Sequence, residues 1–170
     1  MVTKKAAPAA PKKALAKKAP AKKAPAKKAA PAKRAPAKKV TSITQVVGLP
    51  GTPAAVYAAL TNPKKHAAFS GGKVTGAAKV GGRMTAWSGY IEATYLALEP
   101  GARIAMTWST AEWPEGATPS IVEITLRPTD DGTLLLLEQT GVPAGDVVRY
   151  DEGWGEFYWK PLRAWLQKER

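Results

Sequence analysis

The chain has 170 residues with 26 basic and 13 acidic side chains and no cysteine, which excludes disulfides, thiolate metal sites and cysteine nucleophiles. Its net charge of +13 is lopsided: residues 1–39 hold 14 of the basic groups and none of the acidic ones, leaving 12 against 13 in residues 40–170, a nearly neutral body with no attraction of its own for polyanions. No run approaches the roughly 20 apolar residues of a membrane span, and the start lacks the apolar segment of a secretory signal, so no membrane insertion is expected and the protein is placed in the cytoplasm, or at a nucleoid or nucleus if its tail binds DNA.

Residues 1–39 read as a basic tail separate from a domain over 40–170. Ala, Pro, Lys and Arg dominate, and a five-residue unit recurs as Ala19-Pro-Ala-Lys-Lys23, Ala24-Pro-Ala-Lys-Lys28, Ala30-Pro-Ala-Lys-Arg34 and Ala35-Pro-Ala-Lys-Lys39. Proline at that spacing costs a helix about 3 kcal/mol each time, and with nothing apolar to bury the tail is expected to be disordered. The cations come in pairs: Lys12 and Lys13, Lys17 and Lys18, Lys22 and Lys23, Lys27 and Lys28, Lys33 and Arg34, Lys38 and Lys39. Such pairs on a flexible chain suit a phosphate backbone, where each neutralised phosphate releases a counterion, so sequence-independent binding of DNA or RNA is the expectation. The composition resembles the Lys/Ala/Pro-rich tails of linker-histone-like proteins. A solubilising extension is the plainer alternative.

From Val40 the pattern changes. Val40 to Val47 alternates and is β-branched, a first strand. Thr52 is a good N-cap with Pro53 at the first helical position, so 54–60 reads as a short helix; Asn62-Pro63 ends it and opens a second, which runs to about Phe69 and stops at Gly71-Gly72. His66, the single histidine, argues against zinc and reads as a partly exposed residue in a polar turn. Candidate strands follow at 73–79, 83–88, 90–98, 103–110, 119–127 and 133–140, divided by Gly, Pro and Asp turns. Gly141-Val-Pro-Ala-Gly145 reads as the loop into a last helix over 146–168, with Asp146 near its positive end. Along that helix Trp154, Tyr158, Leu162 and Trp165 fall at steps of four, four and three and form one apolar stripe. The sum is an α+β domain in which a seven-stranded, curved antiparallel sheet grips a long C-terminal helix, with two short helices after the first strand.

Several stretches then resemble one family: Val56-Tyr-Ala-Ala-Leu-Thr-Asn-Pro63, Phe69-Ser-Gly-Gly72, Gly81-Gly-Arg-Met84, Trp87-Ser-Gly-Tyr-Ile91, Leu98-Glu-Pro-Gly101, Trp108, Trp113-Pro-Glu-Gly116, Asp131-Gly-Thr133, Gly141-Val-Pro143 and Glu152-Gly-Trp154. They are similar to the activator of heat-shock-protein-90 ATPase homologue family, within the START/SRPBCC helix-grip superfamily, over about residues 41–168. The resemblance implies the same helix-grip fold, with a space between helix and sheet that in the superfamily often holds an apolar ligand. In the eukaryotic member such a domain follows a separate chaperone-binding domain and helps stimulate the chaperone's ATPase. Here a basic tail stands in that position, and Ser109 follows Trp108 where family members often carry Arg.

Strand parity turns Ile104, Met106, Trp108, Val122, Ile124 and Leu126 inward with the helical stripe, as plain core or as cavity walls. Met106, Trp108, Ile124, Leu135, Leu137, Trp154, Tyr158 and Leu162 are the cavity candidates. Leu134 and Leu136 break the alternation of Leu134-Leu-Leu-Leu137 and should point outward beside Glu123 and Thr125, a candidate partner or dimer surface. The carboxylates Glu92, Glu123, Glu138, Asp146, Asp151, Glu152 and Glu156 form no recognisable acid–base pair, and no phosphate loop or cofactor motif is present. The reading is a non-enzymatic domain that binds a small apolar ligand or a client protein, without a cofactor, and is tethered to nucleic acid by its tail. A chaperone ATPase regulator and a cyclase- or hydrolase-type enzyme are the alternatives.

Overall fold

A computed structural model of the chain describes residues 40–169. The basic tail, with the disorder and nucleic-acid contacts expected of it, lies outside the described residues. β1 (Val40–Leu49) leads into α1 (Pro53–Thr61) and α2 (Pro63–Ser70), followed by β2 (Thr75–Gly76), β3 (Arg83–Ala86), β4 (Ile91–Glu99), β5 (Arg103–Thr110), β6 (Ser120–Thr129) and β7 (Gly132–Pro143). All neighbours are antiparallel in one sheet of order β1-β7-β6-β5-β4-β3-β2. The described residues therefore start at one edge, pass through the two short helices to the opposite edge, and meander back until β7 lies against β1. The curved sheet grips a C-terminal helix, as the sequence led us to expect.

Local chemistry sets the joints. Thr52 Oγ1 accepts from Ala55 N at 3.2 Å and Pro53 opens α1; Asn62 then ends α1 and caps α2, its Oδ1 accepting from Lys64 N and Lys65 N at 2.9 and 3.3 Å. Gly132, at the tip between β6 and β7, lies so near the β1 end that a Cβ would stand 2.2 Å from Leu49 O, which only glycine permits.

The last helix is continuous but not uniform. α3 (Val147–Gly153) passes through a π-helical turn (Trp154–Trp159) into α4 (Lys160–Lys168), with ordinary helical dihedrals at both joins. Pro161 supplies the cause: it has no N–H to offer the turn before it and its ring crowds that turn, so the helix widens and Lys160 N donates five residues back, to Gly155 O.

The inward faces form one core. Ile104, Met106, Trp108, Val122, Ile124, Leu126, Leu135 and Leu137 are all buried against Trp154, Tyr158 and Leu162. Each buried aliphatic of this kind contributes about 1.5–3 kcal/mol relative to exposure. Four expectations need correction. The strand expected over 73–79 shrinks to two residues and the next stops at Ala86, because Trp87–Gly89 turns as a short 3-10 segment. β7 runs on through Gly141, Val142 and Pro143, with Gly141 skipped as a bulge opposite Thr41 and Ser42, so that stretch is strand rather than loop. Trp165 is half-buried, and Leu166, four residues after Leu162, takes the interior place.

Candidate ligand-binding site

An apolar cleft of about 360 Å³ opens between the first half of the C-terminal helix and the β3–β5 side of the sheet. Trp87, Tyr90, Trp108, Arg149, Tyr150, Gly153, Trp154, Phe157 and Tyr158 line it. This is the low end of the range for small-molecule sites. A groove of about 700 Å³ beside the β5–β6 loop is larger, but its walls are mainly short loop residues from Pro114 to Pro119 with one aromatic, Trp113.

Each wall is held for a local reason. Trp87 and Ser88 have φ of 47° and 58°, a left-handed conformation that costs non-glycine residues roughly 1–2 kcal/mol apiece. The Trp87 indole lies over the backbone of Gly72, where a Cβ would sit 2.6 Å from its ring, and meets Tyr158 edge-on at 5.3 Å. On the sheet side Trp108 contacts Tyr150, Trp154 and Trp113 at ring separations of 5.1, 5.8 and 6.1 Å. A buried polar chain locks the deep wall: Trp154 Nε1 donates to Gln139 Oε1 at 2.8 Å, Gln139 Nε2 to Ser120 Oγ at 2.9 Å, and Ser120 Oγ to Trp108 O at 2.8 Å. The Tyr150 hydroxyl accepts from Trp113 Nε1 at 2.7 Å and from Arg149 Nη2 at 2.8 Å and lies 2.9 Å from Thr110 Oγ1.

The rim is charged but internally balanced. Arg149 pairs with Glu112 at 2.5 Å and Asp146 at 3.4 Å, and the Tyr90 hydroxyl donates to Glu112 at 3.0 Å. Inside, burial raises the Tyr158 phenol well above its ordinary range, so it stays neutral. Trp108 Nε1, itself occluded, makes no hydrogen bond of full geometry, but it is close enough to the Tyr158 hydroxyl to oppose part of that rise.

Behind Trp154 and Tyr158 lies a second void of about 10 Å³, lined also by Leu60, His66, Met84, Tyr95, Ile104, Met106 and Ile124, at the limit of what a single water needs. His66 is the clearest departure from the sequence reading. It is 2% exposed inside α2, stacked on Phe69 at 5.0 Å and edge-on to Tyr158 at 5.5 Å. Burial lowers its pKa to about 4; the Leu60 carbonyl offsets this in part, but at a geometry short of a hydrogen bond, so both ring nitrogens are unpartnered.

The expected cavity set is divided by the fold. Trp108, Trp154 and Tyr158 line the cleft, Met106 and Ile124 line only the inner void, and Leu135, Leu137 and Leu162 are packed core. The sequence reading missed Trp87, Tyr90, Arg149, Tyr150, Gly153 and Phe157. Tyr150 was within reach, since 150, 154, 158 and 162 continue one spacing of four. Glu92, Glu123 and Glu156 are ion-paired on the surface to Arg83, Arg103 and Lys160; Asp151 accepts from Gln45; Glu138 and Glu152 are exposed. Among the described residues no three His, Cys, Asp or Glu side chains are grouped to hold a metal. On the outer sheet face Val46, Leu134 and Leu136 lie together with Thr125 and Arg127, and no helix among the described residues is long and apolar enough to cross a membrane.

Residues 50–167 match the sequence model of a family described as Activator of Hsp90 ATPase homolog 1-like protein. Activator of 90 kDa heat shock protein ATPase homolog 1 from Homo sapiens is 28% identical over 112 residues, 66% of this chain and 33% of that protein, and the Mus musculus protein gives the same figures. The match thus spans about a third of the length of these curated relatives. Among solved structures, protein MLL2253 from Mesorhizobium loti is 26% identical with a TM-score of 0.66, covering 76% of this chain and 99% of that one. An HSP90 activator from Plasmodium falciparum shares the fold at 23% identity and a TM-score of 0.66, covering 75% of this chain and 96% of the other.

Proposed function

Since the chain belongs to the Activator of Hsp90 ATPase homolog 1-like protein family, we propose that its domain is a non-enzymatic binding module that holds a small apolar ligand in the cleft between the C-terminal helix and the sheet. The cleft itself carries this reading: aromatic walls from one strand, a strained turn and a helix converge on one open space of ligand size. The two carboxylates at its rim are both engaged by Arg149, which leaves neither poised as a general base. Native mass spectrometry of the full chain purified from its own source tests it. A small molecule that stays bound under gentle ionisation and leaves on denaturation is the expected result; an unliganded mass throughout overturns it.

A second reading rests on the relatives, two of which are named as activators of a 90 kDa heat-shock-protein ATPase. On that reading the domain regulates a chaperone of the same class, and the patch of exposed Val46 and Leu134 with half-buried Leu136 is a surface for the chaperone or for a client. Addition of the purified chain to the chaperone from the same cell should change its ATPase rate, and an unchanged rate at saturating chain removes this reading. The tail carries a separate proposal on composition alone, salt-sensitive binding of DNA or RNA through its paired cations. Deleting residues 1–39 should abolish that binding, and binding that survives the deletion refutes the proposal.

A further inference from the structure

We propose that the outer face of β1, β7 and β6 binds a second copy of the chain about a twofold axis, with each Arg127 set against Glu138 of the other copy; this does not depend on the cleft. The strand register lays the outward side chains in rows across the sheet: Leu134 beside Arg127 in one row, Val46, Leu136 and Thr125 in the next, and Glu138 beside Glu123 in the third. The alternate residues of these strands turn into the core, so the rows point away from the helix that the sheet grips. Val46 is 65% and Leu134 39% exposed, Leu136 is half-buried, and Arg127 and Glu138 are both exposed.

Two charges on this face are unmatched. Glu138 stands directly opposite Glu123, and like charges so placed repel. Arg103 answers Glu123 at 2.6 Å, but among the described residues no cation pairs with Glu138 and no carboxylate pairs with Arg127. The missing cation and the missing carboxylate are therefore both present on the same face, on neighbouring strands and one row to either side of Leu136. A twofold axis lying between two such faces, close to the middle row, exchanges the outer rows. It sets each Arg127 over Glu138 of the other copy and brings Leu136 to its own counterpart, the self-complementarity that an isologous dimer requires. A shallow hollow of about 190 Å³ among Val46, Thr125, Arg127, Leu134 and Leu136 lies where that second leucine would enter. Three strands and three rows make a face of about 15 by 20 Å. That is well under the roughly 800 Å² per partner of a standard interface, so the dimer is a weak one.

The test is analytical ultracentrifugation of the full chain from micromolar to millimolar concentration, in enough salt to screen the repulsion between two chains of net charge +13. A dimer that grows with concentration is the expected result. Arg127→Glu and Glu138→Arg, each alone, should raise its dissociation constant about tenfold or more, because each sets two like-charge pairs in the interface. Mixed in equal amounts, the two variants should associate about as tightly as the wild type, since one native pair and one fully reversed pair then face each other. Both substitutions are on exposed side chains, and unchanged far-ultraviolet circular dichroism shows that each variant is folded. A wild type that stays monomeric at millimolar concentration overturns the proposal and leaves this face to the chaperone or client of the second reading. A dimer indifferent to both reversals overturns its placement on this face. Two variants that fail to restore one another overturn the pairing of Arg127 with Glu138.

Discussion

Beneath α4 the interior is aliphatic, with Leu162 and Leu166 buried in the same core as Val56, Leu135 and Leu137, while beneath α3 and the π-helical turn it is aromatic, with Trp108, Tyr150, Trp154 and Tyr158. The aliphatic half closes completely: Val56, Leu135, Leu137 and Leu162 are each 0% exposed. Branched side chains interdigitate to crystal-like density. The aromatic half holds its rings at separations of 4.5–6.4 Å and angles of 38–80°, which fixes their positions through tilted and edge-to-face contacts but leaves the space between them. It also has indole and phenol groups to satisfy, which is why Gln139, Ser120 and Thr110 are buried there. One helix on one sheet thus builds a packed half that stabilises and an open half that can receive a guest.

The largest effect that sharpens this contrast is expected in the aliphatic half. Leu162→Ala should cost about 2–5 kcal/mol in urea denaturation, since the packed surroundings cannot collapse onto the lost atoms. A smaller cost than that of Tyr150→Phe, in the open half, would erase the distinction.

Next is His66, behind the aromatic wall. Its folded pKa of about 4 lies below the ordinary 6.5, so the unfolded chain binds the extra proton between those values and stability falls as pH drops from about 6.5 to about 4. Complete loss amounts to on the order of 3 kcal/mol. Comparing urea midpoints at pH 7.5 and 4.5 in wild type and His66→Leu isolates the effect, because the substitution should remove most of the pH-dependent drop. An equal drop in both proteins would place the acid sensitivity elsewhere.

Gln139→Leu should cost about 1–3 kcal/mol, because it strands Trp154 Nε1 and leaves Ser120 Oγ without its donor in a dry site. Its signature is loss of near-ultraviolet circular dichroism from the tryptophans with the far-ultraviolet signal kept. The smallest effect has the opposite sign: Gly153→Ala should raise stability by up to about 1 kcal/mol, since the position is helical and a methyl group fits. A thermal midpoint below wild type would mean that the wall of the cleft needs glycine for its own packing.

Much of the fold was legible in the sequence because its signals are local. β5 was placed to the residue over 103–110, both short helices were found from Thr52, Pro53, Asn62 and Pro63, and the alternation of Val122, Ile124 and Leu126 gave the inward face. The errors fall where a distant part of the chain decides. His66 sits among Lys64, Lys65 and Ala67 and reads as polar, yet α2 is turned so that this side chain meets Phe69, Trp87 and Tyr158. Trp87 reads as the end of a strand, but the backbone leaves the strand there and the indole packs on Gly72.

The candidate site was less legible than the fold. Trp108, Trp154 and Tyr158 announce themselves as large inward side chains, but nothing in their spacing says that Leu162, four residues further along the same stripe, lies outside the cleft.

By itself the sequence determined the order of strands and helices, which faces turn inward, and a body of nearly neutral charge joined to a cationic tail, because periodicity, turn chemistry and charge act over a few residues at a time. Only the tertiary structure decided where the interior closes and where it stays open, which acceptors the buried indoles find, and that the lone histidine is buried. Those outcomes depend on how side chains tens of residues apart fill or fail to fill a common volume.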